Sequence, residues 1–315
     1  MGETSAIEWT DATVNFWWGC TKVGPGCDHC YAESFDKRVG GAHWGQGVPR
    51  RKIASAATTL AKLNRQGGKR VFIQSMSDLF DNEVVPEWFN QAWMHIHLAK
   101  DCRIQIVTKR ISIVEKTISR SGFPTWPAHA GLMITVVNQA EADRDIPRLL
   151  ALKARLGIPW VGLSIEPLLG PVDLTRVRFS DLAEIDVLLG LDPESGRMGP
   201  SLDWVIVGGE SGTKARPMHP DWARAIRDQC QAAGVPFLFK QWGEWETRID
   251  RDRDDPDWRE DYKYALRHGG SHHWLNLAGG QGFHGERFHV MHRVGKARAG
   301  RLLDGVEWND MPGAL

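Results

Sequence analysis

Acidic residues are missing from one long stretch of a chain that is otherwise balanced. The 315 residues include 39 Lys and Arg against 39 Asp and Glu, yet Lys37 to Arg70 holds nine basic residues and no acidic one. Such a stretch is either a phosphate-facing surface or a solvated face whose charge is balanced by acids brought close in space. The chain also lacks any apolar run long enough to span a bilayer, and Met1 to Thr10 has no apolar segment of a secretion signal. The expectation is a cytoplasmic protein with no membrane partner. No G-x-G-x-x-G follows an early strand, so a dinucleotide fold has no support, and the basic run Gly295 to Arg301 lacks the residue order of a P-loop. Tyrosine is scarce, with three residues against fifteen Trp. Most of these Trp fall at helical or strand spacing, which predicts core packing rather than base stacking.

Cysteine is sparse too, and the odd count of five argues against a disulfide framework. Three of the five are concentrated: Cys20, Cys27 and Cys30 form a C-x6-C-x2-C cluster directly after an apolar, strand-like stretch. Three thiolates suit a 4Fe–4S cluster that keeps one iron free to bind another molecule. A closed zinc site would need a fourth ligand, which His29 or His43 would supply. Free thiols or a disulfide are the third alternative, and spacing alone leaves all three open. Cys230 lies on the apolar stripe Trp222, Ile226, Cys230, Ala233 of a predicted helix, where a small buried thiol is the ordinary reading.

Short β-rich runs alternate with helical stretches, the pattern of a parallel sheet with crossover helices. The predicted strands are Ala12–Trp18, Arg70–Met76, Arg103–Lys109, Gly131–Val137, Pro159–Ile165, Asp203–Gly208 and Pro236–Trp242. The predicted helices are Ile53–Gln66, Pro86–Lys100, Glu141–Leu156 and Pro220–Ala233, with Gly67, Gly157 and Gly234 as stops. Seven such strands predict an α/β fold, a TIM-type or partial (β/α) barrel with a mainly parallel sheet. The barrel is expected over residues 1–245, with an insertion at about 168–202 and a C-terminal extension, 246–315, packed on it. The insertion is expected to contain a short helix-like centre, Leu182 to Leu191, and to serve as a lid or partner surface. Arg248–Asp261 reads as an exposed loop. His268, His272, His273, His284, His289 and His292 crowd the tail without a zinc spacing and read as surface or core histidines.

Each predicted strand carries polar groups at its C-terminal end: Cys20; Ser75, Ser77 and Asp78; Thr108, Lys109 and Arg110; Thr135, Asn138 and Gln139; Ser164 and Glu166; Gly208, Gly209, Glu210 and Ser211; Lys240 and Gln241. Groups in phase at one end converge on a single mouth, where barrels build active sites. In Val207-Gly208-Gly209-Glu210, two glycines admit a ligand close to the backbone beside a carboxylate. Lys109 and Arg110 face Asp78, Glu166 and Glu210 across the mouth, and a structural ion-pair network accounts for that set as well as a binding site does.

At these residues the chain resembles a known family. Glu8-Trp9-Thr10-Asp11, the segment Gly19 to Glu33, Ser75 to Phe80, Thr108-Lys109-Arg110, Leu163 to Gly170, Val207 to Gly212 and Phe239 to Gly243 resemble the three-Cys-motif proteins of bacteriophages and prophages. That family is in turn similar to radical S-adenosylmethionine enzymes, nearest the branch of spore photoproduct lyase, a DNA repair enzyme. The resemblance implies a partial barrel with a 4Fe–4S cluster on Cys20, Cys27 and Cys30. It also implies S-adenosylmethionine on the open iron, cleaved to a 5′-deoxyadenosyl radical. Ser75, Asp78, Ser164, Glu166, Gly208, Gly209 and Glu210 would hold S-adenosylmethionine, and Lys109 and Arg110 its carboxylate or a substrate phosphate. The implied substrate is a nucleic-acid base or nucleotide, with room for a protein partner. The first cysteine gap departs from the superfamily pattern, with six residues in place of three. The rival from another class is a non-catalytic, zinc-binding nucleic-acid-binding protein.

Overall fold

The computed structural model describes residues 4–181, 183–252, 271–280 and 287–313. In chain order its elements are β1 (Ala12–Val14), β2 (Trp17–Trp18), α1 (Tyr31–Arg38), β3 (Arg51–Lys52), α2 (Ala56–Gln66), β4 (Arg70–Ile73), α3 (Pro86–Leu98), β5 (Arg103–Thr108), α4 (Ile111–Ser119), β6 (Ala130–Ile134) and α5 (Gln139–Leu156). There follow β7 (Val161–Ile165), β8 (Val177–Ser180), β9 (Ala183–Ile185), β10 (Trp204–Gly208), α6 (Pro220–Ala233), β11 (Phe237–Gln241), β12 (Trp245–Asp252), β13 (His272–Asn276), β14 (Arg287–Arg293) and α7 (Lys296–Ala299).

Seven strands form one parallel sheet in the order β1-β4-β5-β6-β7-β10-β11, curled into a half-barrel. Successive side chains leave a strand on opposite faces, and the two cores divide the side chains with that period of two. Val71, Ile73, Ile104, Ile106, Leu163, Val205 and Phe237 pack in the main core with residues of α2 to α6. Phe72, Met133, Trp204, Ile206 and Leu238 point the other way, into the hollow, and meet Trp9, Trp160 and the partly buried Ile7 and Met311. Two strand glycines make room for this inner layer. A Cβ at Gly131 would lie 1.8 Å from the Trp160 ring, and one at Gly162 would lie 2.7 Å from the Trp204 carbonyl. Among the described residues, eleven of fourteen Trp are buried, as core packing requires.

Helix ends follow their sequence signals. Asn138 accepts from the Glu141 N–H to cap α5, and Gly157 and Gly234 close α5 and α6 in the left-handed conformation. The predicted strand Ala12–Trp18 is two elements: β1 joins the sheet, while β2 turns away and pairs antiparallel with β3. The helix-like centre of the insertion is overturned for its described residues. The segment between β7 and β10 holds the hairpin β8–β9, packed on α5, and then turns. Asp186 accepts from the N–H groups of Leu188 and Leu189, and Gly190 has φ +68°, so the local bonds that would build a helix close turns instead. Leu182 lies outside the described residues. The expected loop from Arg248 is likewise corrected as far as Asp252, because β12, β14 and β13 form an antiparallel sheet; the rest of that loop, His268 and His284 lie outside the described residues. Near the C-terminal end of the described chain, the Trp308 carbonyl accepts from Phe239 N–H, and Asp310 N–H donates to the Phe237 carbonyl, along β11.

Candidate active site

A cavity of ≈ 370 Å³ opens at the C-terminal ends of the parallel strands and runs back to the inner aromatic layer at Trp9 and Phe72. The structure brings most of the predicted strand-end residues to it. Ser75, Asp78, Lys109, Arg110, Ser164, Glu166, Gly209 and Glu210 line it together with Cys20, Cys27 and Cys30. Gly208 lies beneath: a Cβ there would come within 2.4 Å of Glu166 Oε1, so this carboxylate rests on bare backbone. Asn138 and Gln139 do not line the cavity; they cap and open α5.

The cysteine loop crosses the mouth. It is braced at Gly26 against Val137, Lys109 and Pro167, and at Gly24 against Glu141. All three thiols are free and half-buried, whereas Cys102 and Cys230 are buried away from them. Two buried guanidiniums fix the start of the loop. Arg50 bonds Asp81 through Nε at 2.7 Å, Thr21 Oγ1 at 2.6 Å, and the carbonyls of Gly45 and Val48. Arg110 donates to the Thr21 carbonyl at 2.7 Å and stands 3.3 Å from Cys20 Sγ and 3.4 Å from Asp78 Oδ2. Asp78 also accepts from Thr108 Oγ1 and from the N–H groups of Phe80 and Lys109. Burial pushes the Cys20 thiol up to about 12, with Arg110 pulling the other way.

The far end of the loop is held by Glu210. His29 Nδ1 lies 3.0 Å from Glu210 Oε2, and Arg216 clasps both oxygens of the same carboxylate while reaching Asp28 and the Pro25 carbonyl. Burial works against the charged form of Glu210, but the bonds from Arg216 and His29 prevail and hold its pKa below the usual range. Deeper in the cavity the polar groups are less committed. Lys240 Nζ is 3.0 Å from Glu166 Oε2, and Lys109 Nζ is 3.1 Å from Thr135 Oγ1.

Sequence reasoning missed three contributors. Arg216 carries no motif. Arg50 stands in the basic stretch with nothing to single it out, and there the reading of charge balanced by acids close in space holds for three members: Arg50 pairs with Asp81, Arg70 with Asp11 and Lys37 with Glu33. Gln74 takes φ +68°, a left-handed conformation costly for a side-chain-bearing residue, where the chain leaves β4 for Ser75. Its Oε1 accepts from Phe16 N–H at 2.6 Å and ties that turn to the β1–β2 corner.

Three free thiols of one loop on one cavity are a donor set that a 4Fe–4S cluster with an open iron can use. Among the described residues, one group of three His, Cys, Asp or Glu has its ligand atoms within 4.8 Å of one another: His219, Asp221 and His289, beneath the C-terminal sheet. The three cysteine sulfurs are not such a group. In the histidine group, His219 and His289 are fully buried. His219 Nδ1 accepts from Asp221 N–H as the cap of α6, and Asp221 is engaged by Arg224, an arrangement of packing and capping.

Among the described residues, no helix is long and apolar enough to cross a membrane. None of the curated proteins matches the chain. Among solved structures, the chain is similar to a spore photoproduct lyase mutant with bound AdoMet and dinucleoside spore photoproduct, at 10% identity and TM-score 0.39. That match covers 88% of this chain and 67% of the other. Spore photoproduct lyase complexed with dinucleoside spore photoproduct matches at 12% identity and TM-score 0.36, covering 91% and 68%. Residues 4–312 match the model of the family described as a protein of unknown function, DUF5131, and the chain belongs to that family.

Proposed function

We propose that the protein is a radical S-adenosylmethionine-type enzyme acting on a nucleic-acid base or nucleotide. The observation that carries this is the placement of three free cysteines of one loop on the same cavity as the polar ends of the parallel strands. Cys20, Cys27 and Cys30 would hold a 4Fe–4S cluster at the rim. When bound, that cluster supplies one electron to cleave S-adenosylmethionine reductively. The remaining work falls to the chain. Glu166, Ser164 and Ser75 offer acceptors for an ammonium or hydroxyl group, and Lys109 and Lys240 offer cations for a carboxylate or phosphate. Gly208 and Gly209 let the ligand approach the backbone. Asp78, Arg110 and Glu210, drawn into contacts with the loop, hold the cysteines in place. The resemblance to three-Cys-motif phage proteins supports the same reading.

The test is anaerobic reconstitution with iron and sulfide, followed by metal analysis and titration with S-adenosylmethionine. The expected result is a brown protein with about four irons per chain whose cluster spectrum changes on adding S-adenosylmethionine. Stoichiometric zinc without iron would establish the non-catalytic zinc protein instead.

A further inference from the structure

We propose that Arg110 is a positioning residue that sets the electron affinity of the cysteine-bound centre by hydrogen-bonding the Cys20 sulfur from inside the protein; this rests on the cluster reading above. Arg110 lies two residues past the end of β5, just before α4, and is 7% exposed. Its two terminal nitrogens divide their work. Nη2 grips the backbone through the Thr21 carbonyl at 2.7 Å, and Nη1 reaches Cys20 Sγ at 3.3 Å. Arg50, the other buried guanidinium, bonds the Thr21 side chain and does not reach the sulfur. No side chain among the described residues donates to Cys27 or Cys30, so the three ligands are unequal.

That inequality has an electrochemical sign. Reduction adds negative charge to the centre, and a charge-assisted donor on a ligating sulfur stabilises the reduced form more than the oxidised one. Burial strengthens the effect, because little water screens the guanidinium. Asp78 and Asp81 lie behind it, with Arg110 Nη1 3.4 Å from Asp78 Oδ2 and Nη2 3.7 Å from Asp81 Oδ1. Removing the guanidinium would turn both carboxylate fields onto the centre, which lowers the potential further. Geometry argues against a purely structural bond. Bracing the loop requires only the Thr21 carbonyl, and Asp81 keeps Arg50 without Arg110.

The experiment compares wild-type, Arg110→Lys and Arg110→Met proteins, each reconstituted anaerobically, by iron content and by midpoint potential in a spectroscopic redox titration. Arg110→Met protein that carries iron is expected to lose about tenfold in the equilibrium constant for one-electron reduction, a shift of about 59 mV to more negative potential. Arg110→Lys, which keeps the charge and loses the fork, should fall between. A fully loaded Arg110→Met protein with the wild-type midpoint overturns the proposal. A second measurement needs no variant: in protein labelled with ¹⁵N-arginine, the reduced centre should show hyperfine coupling to a guanidinium nitrogen. Absence of that coupling overturns the proposal even where the variants fail to fold. Wild-type protein that takes zinc and no iron instead removes the cluster reading itself, so the two failures are distinguishable.

Discussion

On the β4–β5 flank of the mouth, Arg50, Asp78, Asp81 and Arg110 are each 7% exposed or less and satisfy one another. On the β7–β11 flank, the Glu166 and Lys240 side chains keep 14% and 19% exposure and meet through a single contact over the cavity. The first flank spends its charge on holding the chain, the second on facing whatever enters. Coulomb energy is comparable in form, but the surroundings differ. A fully desolvated ion has nowhere to turn when its partner is removed, while one that keeps some exposure recovers water.

The contrast is broken most directly at Asp81. Asp81→Asn should cost about 3–5 kcal/mol of stability by removing the buried carboxylate that pairs with both Arg50 and Arg110, read as a large drop in denaturation midpoint, whereas Glu166→Gln should change stability by at most about 1 kcal/mol. Equal losses would erase the distinction. For ligand binding the order reverses. Gly208→Ala, whose new Cβ would strike Glu166 Oε1, and Glu166→Gln should each weaken S-adenosylmethionine binding about tenfold, some 1.4 kcal/mol, in a titration of loaded protein. The folded state should be little changed in both.

A smaller effect is expected from pH. The Glu210 pKa is lowered in the folded state, so its contribution to stability is fully present above the ordinary carboxylate value of 4.5 and is lost as pH falls through the folded value. Glu210→Gln should therefore flatten the acid side of the stability profile, and an unchanged profile would show that Arg216 and His29 do not select the charged form. Smallest is the outer basic face. Arg51 and Lys52 are exposed, stacked over Trp18 and Trp88. Replacing both by Ala should reduce the salt slope of nucleic-acid binding by about 2 without altering iron content, provided Arg50 is left in place.

The architecture was legible because apolar runs ending in polar groups recur with the sheet's own period, and the convergence of Asp78, Lys109, Glu166 and Glu210 followed from that phase. What stayed hidden depends on partners distant in sequence. Arg50 reads as a surface cation until folding brings Asp81 beside it, 31 residues away. Glu210 reads as a partner for Lys109 and Arg110 until the Arg216 loop folds back and takes it. Insertion and tail were misread for a different reason: Leu182 to Leu191 has helical spacing that side-chain turns override, and a densely charged run is compatible with a strand as well as with a loop.

The pairing of residues 308–310 along β11 has a further meaning for an open barrel. A half-barrel leaves outermost strands whose unpaired amides invite a strand from another molecule, the usual route to edge-to-edge aggregation. Here the chain supplies its own cover for β11, with the Leu238 to Asn309 bridge making it antiparallel to the sheet. The terminal segment thus acts as a stopper on lateral growth, and the wide mouth an open barrel provides is kept without the stickiness of an exposed edge on that side.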